Sequence, residues 1–417
     1  MLLHNNFIYI VTSASIIVQY IIALNFNICY YSITSLCYNI LIGGYIMTAS
    51  RTMSFGSPGR YIQGPGEIQR LAEHTAKYGA NVFAIIDPFF FDTLTPSLTK
   101  QYEEKGASFT SIPFENEVTE QRIAAIAKKA AKANAEMIMG IGGGKTLDTA
   151  KGAANALKLP VVIVPTSAST DAPTSALSVI YKENHEHSHS INYIKSPDIV
   201  IIDSEIIANA PVRFLVSGMG DAMATLFEAK ANADSNSPNY ICQEAGSFRR
   251  TKTAMAIAQL CYDTIIEYGV AAKIANEQHV VTEALESVIE ANTLMSGLGF
   301  ENTACACAHA VGDGITATPN GTKTLHGEKV AFGTLCELVA ENAPSEVVEE
   351  YISFCMEVGL PTTLADLQVD VTEENLQLIA NNASLTELVR EPYEITNEML
   401  KNIVKTADAI GQYYKGL

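Results

Sequence analysis

The chain has 417 residues, 17% of them charged, and a formal net charge of −18. This length accommodates two domains with complete hydrophobic cores, and the composition is that of a globular protein and not of a disordered one. The charge argues against a nucleic-acid-binding surface, because phosphates are bound by clustered Lys and Arg and no basic run occurs. Eight cysteines without regular spacing do not indicate a disulfide framework, so we predict a reducing, cytoplasmic location.

The first fifty residues differ from the rest of the chain. They contain no Asp, Glu, Lys or Arg, and residues 7–24 form a mostly apolar run of eighteen, just long enough to span a bilayer. The positive region of a signal peptide is missing, and no basic cluster fixes a membrane orientation. We therefore interpret residues 1–52 as an apolar leader without function, upstream of a true start at Met47 or Met53. A membrane anchor is the alternative.

Residues 53–208 predict strands alternating with helices. The predicted strands are 61–64, 81–86, 136–141 and 161–165, and the predicted helices are 67–78, 120–135 and 145–157. The apolar segments 179–181 and 191–193 indicate a hairpin, and we expect the three histidines between them, His185, His187 and His189, to be solvated. Such alternation is typical of a Rossmann-like α/β domain with a parallel sheet, whose binding loops lie at the carboxyl ends of the strands.

Residues 209–417 show helical periodicity and almost no strand signal. We predict helices near 212–234, 241–268, 280–299, 301–312, 327–341, 346–358 and 396–414. The sequence therefore predicts a second, all-α domain with a boundary near residues 203–209.

Three consecutive glycines, Gly142, Gly143 and Gly144, lie between a predicted strand and a predicted helix. Glycines there let backbone N–H groups approach a phosphate, which the helix N-terminus stabilises. A Walker A loop would need glycine where Met139 stands, and the G-x-G-x-x-G fingerprint is also absent, so we predict a pyrophosphate-binding loop of another type. Asp87 ends the preceding strand and can accept ribose hydroxyls, which favours NAD over NADP.

A loop rich in hydroxyl groups, residues 165–173, follows the strand at 161–165. It carries four Ser or Thr side chains and one carboxylate, Asp171. Its place at the carboxyl edge of the sheet predicts hydrogen bonds to cofactor and substrate. The alternative is a turn rich in Ser and Thr that caps a helix.

Two histidines seventeen positions apart, His309 and His326, lie in runs of small or apolar residues. Ala304, Ala306, Ala308 and Ala310 suit a tightly packed helix around the first, and the second opens another helical run. Imidazoles on successive helices can converge on a divalent metal. The alternative is two core histidines that are satisfied by backbone partners.

Asp221 is the third candidate ligand. It is a lone carboxylate among Gly, Ala and Met, and such an acid is costly to bury unless it is paired or bound to metal. Its alternative role is an N-cap. With His309 and His326 it would make a set of three protein ligands and one open position, the pattern of catalytic metal sites.

These residues resemble the iron-containing (group III) alcohol dehydrogenase superfamily, and within it the glycerol dehydrogenases. The resemblance runs from about Met53 to the C-terminus, and its most specific blocks are residues 142–151, 169–173, 218–222 and 326–333. It implies a dehydroquinate synthase-like architecture with the active site in a cleft between the two domains. It also implies zinc-dependent oxidation of glycerol to dihydroxyacetone with NAD by a homo-oligomer, commonly an octamer.

The same resemblance assigns roles to individual residues. Asp221, His309 and His326 match metal ligands that also face the substrate, and Asp171 matches the catalytic residue that contacts the substrate hydroxyls. Iron(II) or manganese(II) would also suit these ligands. The cofactor positions are Asp87, Gly143, Gly144, Lys145, Asp148, Thr166, Ser169, Ser175, Leu177 and Tyr181.

The sequence departs from the family pattern at Gly312-Asp313, where the family often has a second histidine soon after the helix ligand. This departure bears on hydride-transfer geometry or substrate preference. Within the superfamily, the alternatives are a glycerol-1-phosphate dehydrogenase, another NAD-dependent alcohol dehydrogenase or a dehydroquinate-synthase-like lyase. From another class, the alternative is a membrane-tethered, catalytically silent nucleotide-binding module anchored by residues 1–46. The scarcity of Arg in the predicted site loops favours a neutral polyol substrate.

Overall fold

Eight strands form two sheets in the computed structural model, which describes residues 49–183, 187–241 and 246–416. They are β1 (Tyr61–Gly64), β2 (Asn81–Ile86), β3 (Ser108–Pro113), β4 (Met137–Gly142), β5 (Val161–Pro165), β6 (Leu177–Tyr181), β7 (His187–Asn192) and β8 (Ile199–Asp203). Six of them make a parallel sheet in the order β1-β8-β5-β4-β2-β3, and β6 and β7 pair as an antiparallel hairpin. The predicted parallel α/β sheet is confirmed. Most of the predicted leader, residues 1–48, lies outside the described residues.

Two strands of the parallel sheet were not predicted, β3 and β8. β3 is an edge strand whose residues are exposed or half-buried, so it carries no continuous apolar run. β8 is a run of five buried residues, Ile199–Asp203, with the same length as the predicted β5, so its apolar signal was present in the sequence and was overlooked.

Helices pack against the sheet and form most of the described chain beyond Asp203. They are α1 (Leu71–Thr75), α2 (Pro88–Glu104), α3 (Glu120–Lys132), α4 (Gly144–Leu157), α5 (Ser204–Ala208), α6 (Val212–Asp234), α7 (Lys252–Glu277), α8 (Glu283–Glu290), α9 (Ser296–Thr303), α10 (Cys307–Thr316), α11 (His326–Ala340), α12 (Ser345–Val358), α13 (Glu373–Asn382), α14 (Leu385–Leu388) and α15 (Asn397–Lys415). A π-helical turn, Ala291–Met295, joins α8 to α9. Within the described ranges, no helix is both long enough and apolar enough to cross a membrane.

Several helix predictions differ from the structure. The helix predicted at 241–268 begins only at Lys252, where the Thr251 hydroxyl accepts a hydrogen bond from Ala254 N. The helix predicted at 301–312 is interrupted between Thr303 and Cys307. The helices α2, α5, α13 and α14 were not predicted. The predicted 212–234 helix has the bounds of α6.

The two faces of the parallel sheet pack into different apolar clusters, because successive strand residues point to opposite faces. One face packs against α1 and α2 through residues such as Val82, Met139 and Val164. The other face, which includes Ile85 and Ile163, packs against α3 and α4, and its cluster continues through α6 into the other helices. The loop that follows β5 contacts α6, because Ser217 Oγ donates a hydrogen bond of 3.4 Å to Ser169 O. The domain boundary near residues 203–209 stays a prediction.

Candidate active site

Asp221, His309 and His326 come together although they lie on three different helices. Asp221 Oδ1 is 3.4 Å from His309 Nε2 and 3.3 Å from His326 Nε2. The Asp221 side chain is fully buried, whereas that of His326 is 44% exposed. We call these residues the Asp-His-His cluster, and it is reachable from solvent on the His326 side.

The Asp-His-His cluster fits a divalent cation. Its three donor atoms lie within 4.8 Å of one another, and the buried Asp221 Oδ1 has no hydrogen-bond partner. A buried carboxylate oxygen without a partner is costly, and one carboxylate with two imidazoles is a common ligand set of catalytic zinc. The other Asp221 oxygen, Oδ2, accepts a hydrogen bond of 3.3 Å from Asp171 N.

Neighbouring charged groups shift the pKa values of Asp221 and His309 in the Asp-His-His cluster. Burial raises the pKa of Asp221, but His326 and His309 outweigh burial and leave that pKa below its ordinary value. Burial lowers the pKa of His309, but Cys305, Glu228 and Asp221 raise it well above its ordinary value. Because a ligating imidazole must give up one proton, metal binding to His309 is expected to release a proton.

Glycines let two helix backbones touch and so bring His326 over Asp221. A Cβ on Gly327 would lie 1.8 Å from Ser217 O, and a Cβ on Gly220 would lie 2.5 Å from Gly327 O. No side chain fits at either point of this crossing between α6 and α11 without moving backbone. Gly220 and Gly327, each next to a predicted ligand, are therefore required by the close packing of α6 against α11.

A break in the chain places His309 in the first turn of α10. Ala304 has φ 84°, in the left-handed region that a residue with a Cβ seldom adopts, and the helix restarts at Cys307. The freed N–H groups donate to three buried glutamates: Ala306 N and His309 N to Glu228, Cys307 N to Glu391, and Ala308 N to Glu337. These hydrogen bonds offset the cost of the break.

Glu228 contacts the His309 ring and was not among the predicted site residues. Its Oε2 is 2.8 Å from His309 Nδ1, the ring nitrogen that faces away from Asp221. The spacing in the sequence could have identified this residue. Glu228 follows Asp221 by seven positions and so lies on the same face of α6. Cys305 is a further neighbour, and its Sγ lies within 4.8 Å of ligand atoms of Glu228 and His309.

The predicted cofactor loop lies at the carboxyl edge of the sheet. Asp87 N donates to Ile141 O at 2.8 Å, and Thr166 N donates to Gly142 O at 3.1 Å, so the ends of β2, β4 and β5 meet there. A Cβ on Gly142 would come within 2.9 Å of Asp87 Cβ. α4 begins at Gly144 without a side-chain cap, and a Cβ added at Gly143 would meet no atom within 4 Å. An uncapped helix N-terminus beside open space suits a phosphate group.

Lys145 and Tyr181 lie beside each other at the start of α4. The Lys145 ammonium is 5.1 Å from the centre of the Tyr181 ring and forms an ion pair with Glu117. Burial raises the pKa of Tyr181 well above its ordinary value.

The buried Asp148 side chain contacts other residues of the protein. Its carboxylate is 2.8 Å from Lys151 Nζ and accepts a hydrogen bond of 2.9 Å from Val179 N. Lys151 also donates to Ser175 Oγ at 3.4 Å and to Leu177 O at 2.6 Å. The buried Lys151 thus ties two predicted cofactor residues to α4, a role that sequence reasoning did not assign.

The hydroxyl-rich loop, residues 165–173, lies between the glycine loop and the Asp-His-His cluster. A Cβ on Gly144 would be 3.5 Å from Thr170 Oγ1, and Ser169 O accepts a hydrogen bond of 3.4 Å from Ser217 on α6. Asp171 bonds Asp221 through its N–H and accepts a hydrogen bond of 2.9 Å from Ser296 Oγ. Burial, and next the charge of Asp221, raise the pKa of Asp171 well above its ordinary value.

The hairpin histidines take no part in this site as far as the structure describes them. His189 is 42% exposed and lies 3.3 Å from Glu120. His185 and the side chain of His187 lie outside the described residues.

Known proteins resemble this chain over most of its length. The sequence pattern of the iron-containing alcohol dehydrogenase family matches residues 58–204. Glycerol dehydrogenase of Thermotoga maritima is 45% identical over 368 residues, which cover 86% of this chain and 98% of the relative. Glycerol dehydrogenase of Escherichia coli is 43% identical, with 86% and 97% covered.

A solved structure agrees with this similarity. The crystal structure of a probable glycerol dehydrogenase from Sinorhizobium meliloti has a TM-score of 0.81 and 40% identity, and the match covers 87% of this chain and 99% of that one. An identity above 40% over nearly a whole relative, together with the shared fold, confirms the resemblance seen in the motifs. The chain belongs to the iron-containing alcohol dehydrogenase family.

Proposed function

We propose that the protein is an NAD-linked, metal-dependent dehydrogenase that oxidises glycerol and related vicinal diols, with dihydroxyacetone as the product from glycerol. The observation that carries this proposal is the convergence of His309 Nε2 and His326 Nε2 on the unpartnered Asp221 Oδ1. The relatives named glycerol dehydrogenase support the choice of substrate. We further propose a cytoplasmic homo-oligomer, an octamer by resemblance, with its active site in the cleft between residues 53–208 and 209–417.

A metal ion and NAD would supply one part of the chemistry, and residues of the chain would supply the other. A divalent cation held by Asp221, His309 and His326, zinc in first place and iron(II) or manganese(II) as alternatives, supplies a Lewis acid that lowers the pKa of a substrate hydroxyl. NAD supplies the hydride acceptor. The glycine loop, with the uncapped start of α4, binds the pyrophosphate, and Asp87 binds the ribose.

Asp171 orients the substrate in this proposal. Its backbone N–H is fixed on Asp221 and its side chain on Ser296, so the carboxyl group is held beside the Asp-His-His cluster before substrate arrives. Positioning the reacting hydroxyl against a fixed cofactor is a large part of catalysis in such reactions. The hydroxyl-rich loop, residues 165–173, connects the glycine loop to the Asp-His-His cluster. It can therefore align the diol with the nicotinamide.

A phosphorylated substrate is less suitable than a neutral polyol. The charged groups that act most on the Asp171 carboxyl are Asp221, His309 and Glu228. Two of these three residues are carboxylates. Among these three residues only His309 can carry a positive charge, so the surroundings of Asp171 offer few cations to a phosphate dianion. This favours glycerol over glycerol-1-phosphate.

Removal of metal is expected to abolish activity reversibly. Protein dialysed against a chelator should lose glycerol-dependent NADH formation and regain it when zinc is added, because the Asp-His-His cluster then recovers its cation. The measurement is absorbance of NADH, with circular dichroism to show that the dialysed protein stays folded. Full activity after metal removal, with no metal left in the protein, would contradict the proposal.

Asp171→Asn is expected to spare NAD binding and to weaken glycerol use. An amide keeps the shape but replaces one oxygen by a donor, and a substrate hydroxyl left without its hydrogen-bond partner in a buried site costs about 1–3 kcal/mol, so kcat/KM for glycerol should fall by about 5- to 100-fold.

The matched control for Asp171 is Glu301→Gln. Glu301 is also buried, but it accepts a hydrogen bond from Ala176 N at 2.7 Å and does not contact the Asp-His-His cluster. Steady-state kinetics and NAD titration of both variants are the measurement. Unchanged glycerol kinetics in Asp171→Asn would refute the assigned role.

A further inference from the structure

Glu228 contacts His309 at two places. Its Oε1 accepts hydrogen bonds from Ala306 N at 2.8 Å and His309 N at 3.0 Å, and its Oε2 lies 2.8 Å from His309 Nδ1. The side chain is 1% exposed, so water does not compete for these bonds. Both carboxylate oxygens are therefore committed to the first turn of α10 and to its histidine.

These contacts determine which ring nitrogen of His309 carries hydrogen. A carboxylate has only acceptor atoms, so the short contact with Nδ1 requires an N–H on that nitrogen. The neutral ring then has its lone pair on Nε2, the atom that lies 3.4 Å from Asp221 Oδ1 in the Asp-His-His cluster. The opposite tautomer would direct an N–H at the metal position and could not ligate.

We propose that Glu228 is a positioning residue that holds His309 in the Nδ1–H tautomer and so keeps Nε2 available to the metal. This inference rests on the proposed function, since it concerns the same cluster. It assigns a role to a residue that itself lies outside the set of three ligands. Carboxylates that orient ligating histidines in this way raise metal affinity by about 10- to 100-fold in other proteins.

Glu228→Gln tests the tautomer with little change of shape. Two backbone N–H groups hold the atom at the Oε1 position, so the glutamine must place its oxygen there. Its NH2 group then faces His309 Nδ1, which can accept that hydrogen only as the Nε2–H tautomer. The substitution thus keeps the bonds at the start of α10 while it reverses the hydrogen on the ring.

Glu337→Gln is the matched control. Glu337 is equally buried and accepts a hydrogen bond of 3.0 Å from Ala308 N in the same helical turn, without a hydrogen bond to the His309 ring. Burial, and next Glu391, raise the pKa of Glu337 well above its ordinary value, so an amide resembles its protonated form. Any general effect of losing a carboxyl group at this helix N-terminus should appear in both variants.

The experiment measures zinc affinity of the full-length chain by competition with a chromogenic chelator, for wild type and both variants. We expect Glu228→Gln to bind zinc about 10- to 100-fold more weakly and Glu337→Gln to bind as wild type does. Saturating zinc should restore most of kcat in Glu228→Gln, because excess metal selects the competent tautomer. The unfolding midpoint of the metal-free protein should be similar in both variants.

Four results would overturn the inference. Wild-type zinc affinity in Glu228→Gln would overturn it alone and leave the proposed function standing. Equal loss in both variants, or a metal-free Glu228→Gln protein that unfolds far below the control, would assign Glu228 a purely structural role. If the wild type itself binds no zinc, the proposed metal centre fails and this inference fails with it.

Discussion

Asp221→Asn is expected to abolish metal-dependent turnover, with kcat/KM for glycerol falling on the order of 10³-fold because several kcal/mol of charge stabilisation are lost. Asp221 Oδ1 is the atom on which both imidazoles converge, and an amide removes its negative charge. His309→Ala and His326→Ala should have the same consequence. The measurement is steady-state glycerol oxidation at fixed zinc, with zinc content determined on the same samples.

Asp408→Asn is the control for this loss. Asp408 is a buried aspartate on α15 that accepts hydrogen bonds from Leu364 N at 2.7 Å and Gln412 at 2.6 Å, away from the Asp-His-His cluster. We expect it to keep zinc and turnover. Wild-type activity in Asp221→Asn, in folded protein, would show that Asp221 is not a ligand.

Gly327→Ala is expected to destabilise the protein by at least 1–3 kcal/mol, the typical cost of overpacking a core, and to lose zinc. Its Cβ would stand 1.8 Å from Ser217 O and 3.0 Å from Asp221 N, so α11 must move away from α6 and carry His326 with it. Urea unfolding of the metal-free protein and zinc affinity of the folded protein measure the two effects separately.

Gly312→Ala is the matched substitution in α10. A Cβ there would lie 3.4 Å from Val330 Cγ2, an ordinary contact, and alanine in place of a helical glycine contributes about 0.5–1 kcal/mol of stability. We expect unchanged or slightly higher stability and normal zinc binding. Equal behaviour of the two variants would mean that the close crossing of α6 and α11 does not position His326.

Much of the fold could be predicted because its signals are local. The buried strands at 81–86 and 161–165 and the helix at 212–234 are marked by apolar runs or periodicity of their own, and the structure has them at the predicted positions. The alternation of such elements suffices to indicate a parallel sheet with loops at its carboxyl edge. The glycines at 142–144 identified one of those loops.

The break before His309 could not be predicted from sequence. Ala304, Ala306, Ala308 and Ala310 all favour a continuous helix, and a positive φ at Ala304 opposes its intrinsic preference. The break persists because Glu228, Glu337 and Glu391 accept the freed N–H groups. These acceptors are separated from Ala306–His309 by about 30 to 85 positions, so no local pattern records them.

The sequence by itself determined the parallel sheet, the helical remainder, the glycine loop and the residues of the Asp-His-His cluster as candidates. Tertiary structure alone decided that Asp221, His309 and His326 meet, because their approach depends on helix crossings at Gly220 and Gly327. It also decided the surroundings of His309, since Glu228 reaches the ring from another helix. Propensity and periodicity act over a few residues, whereas these contacts depend on which helices pack together.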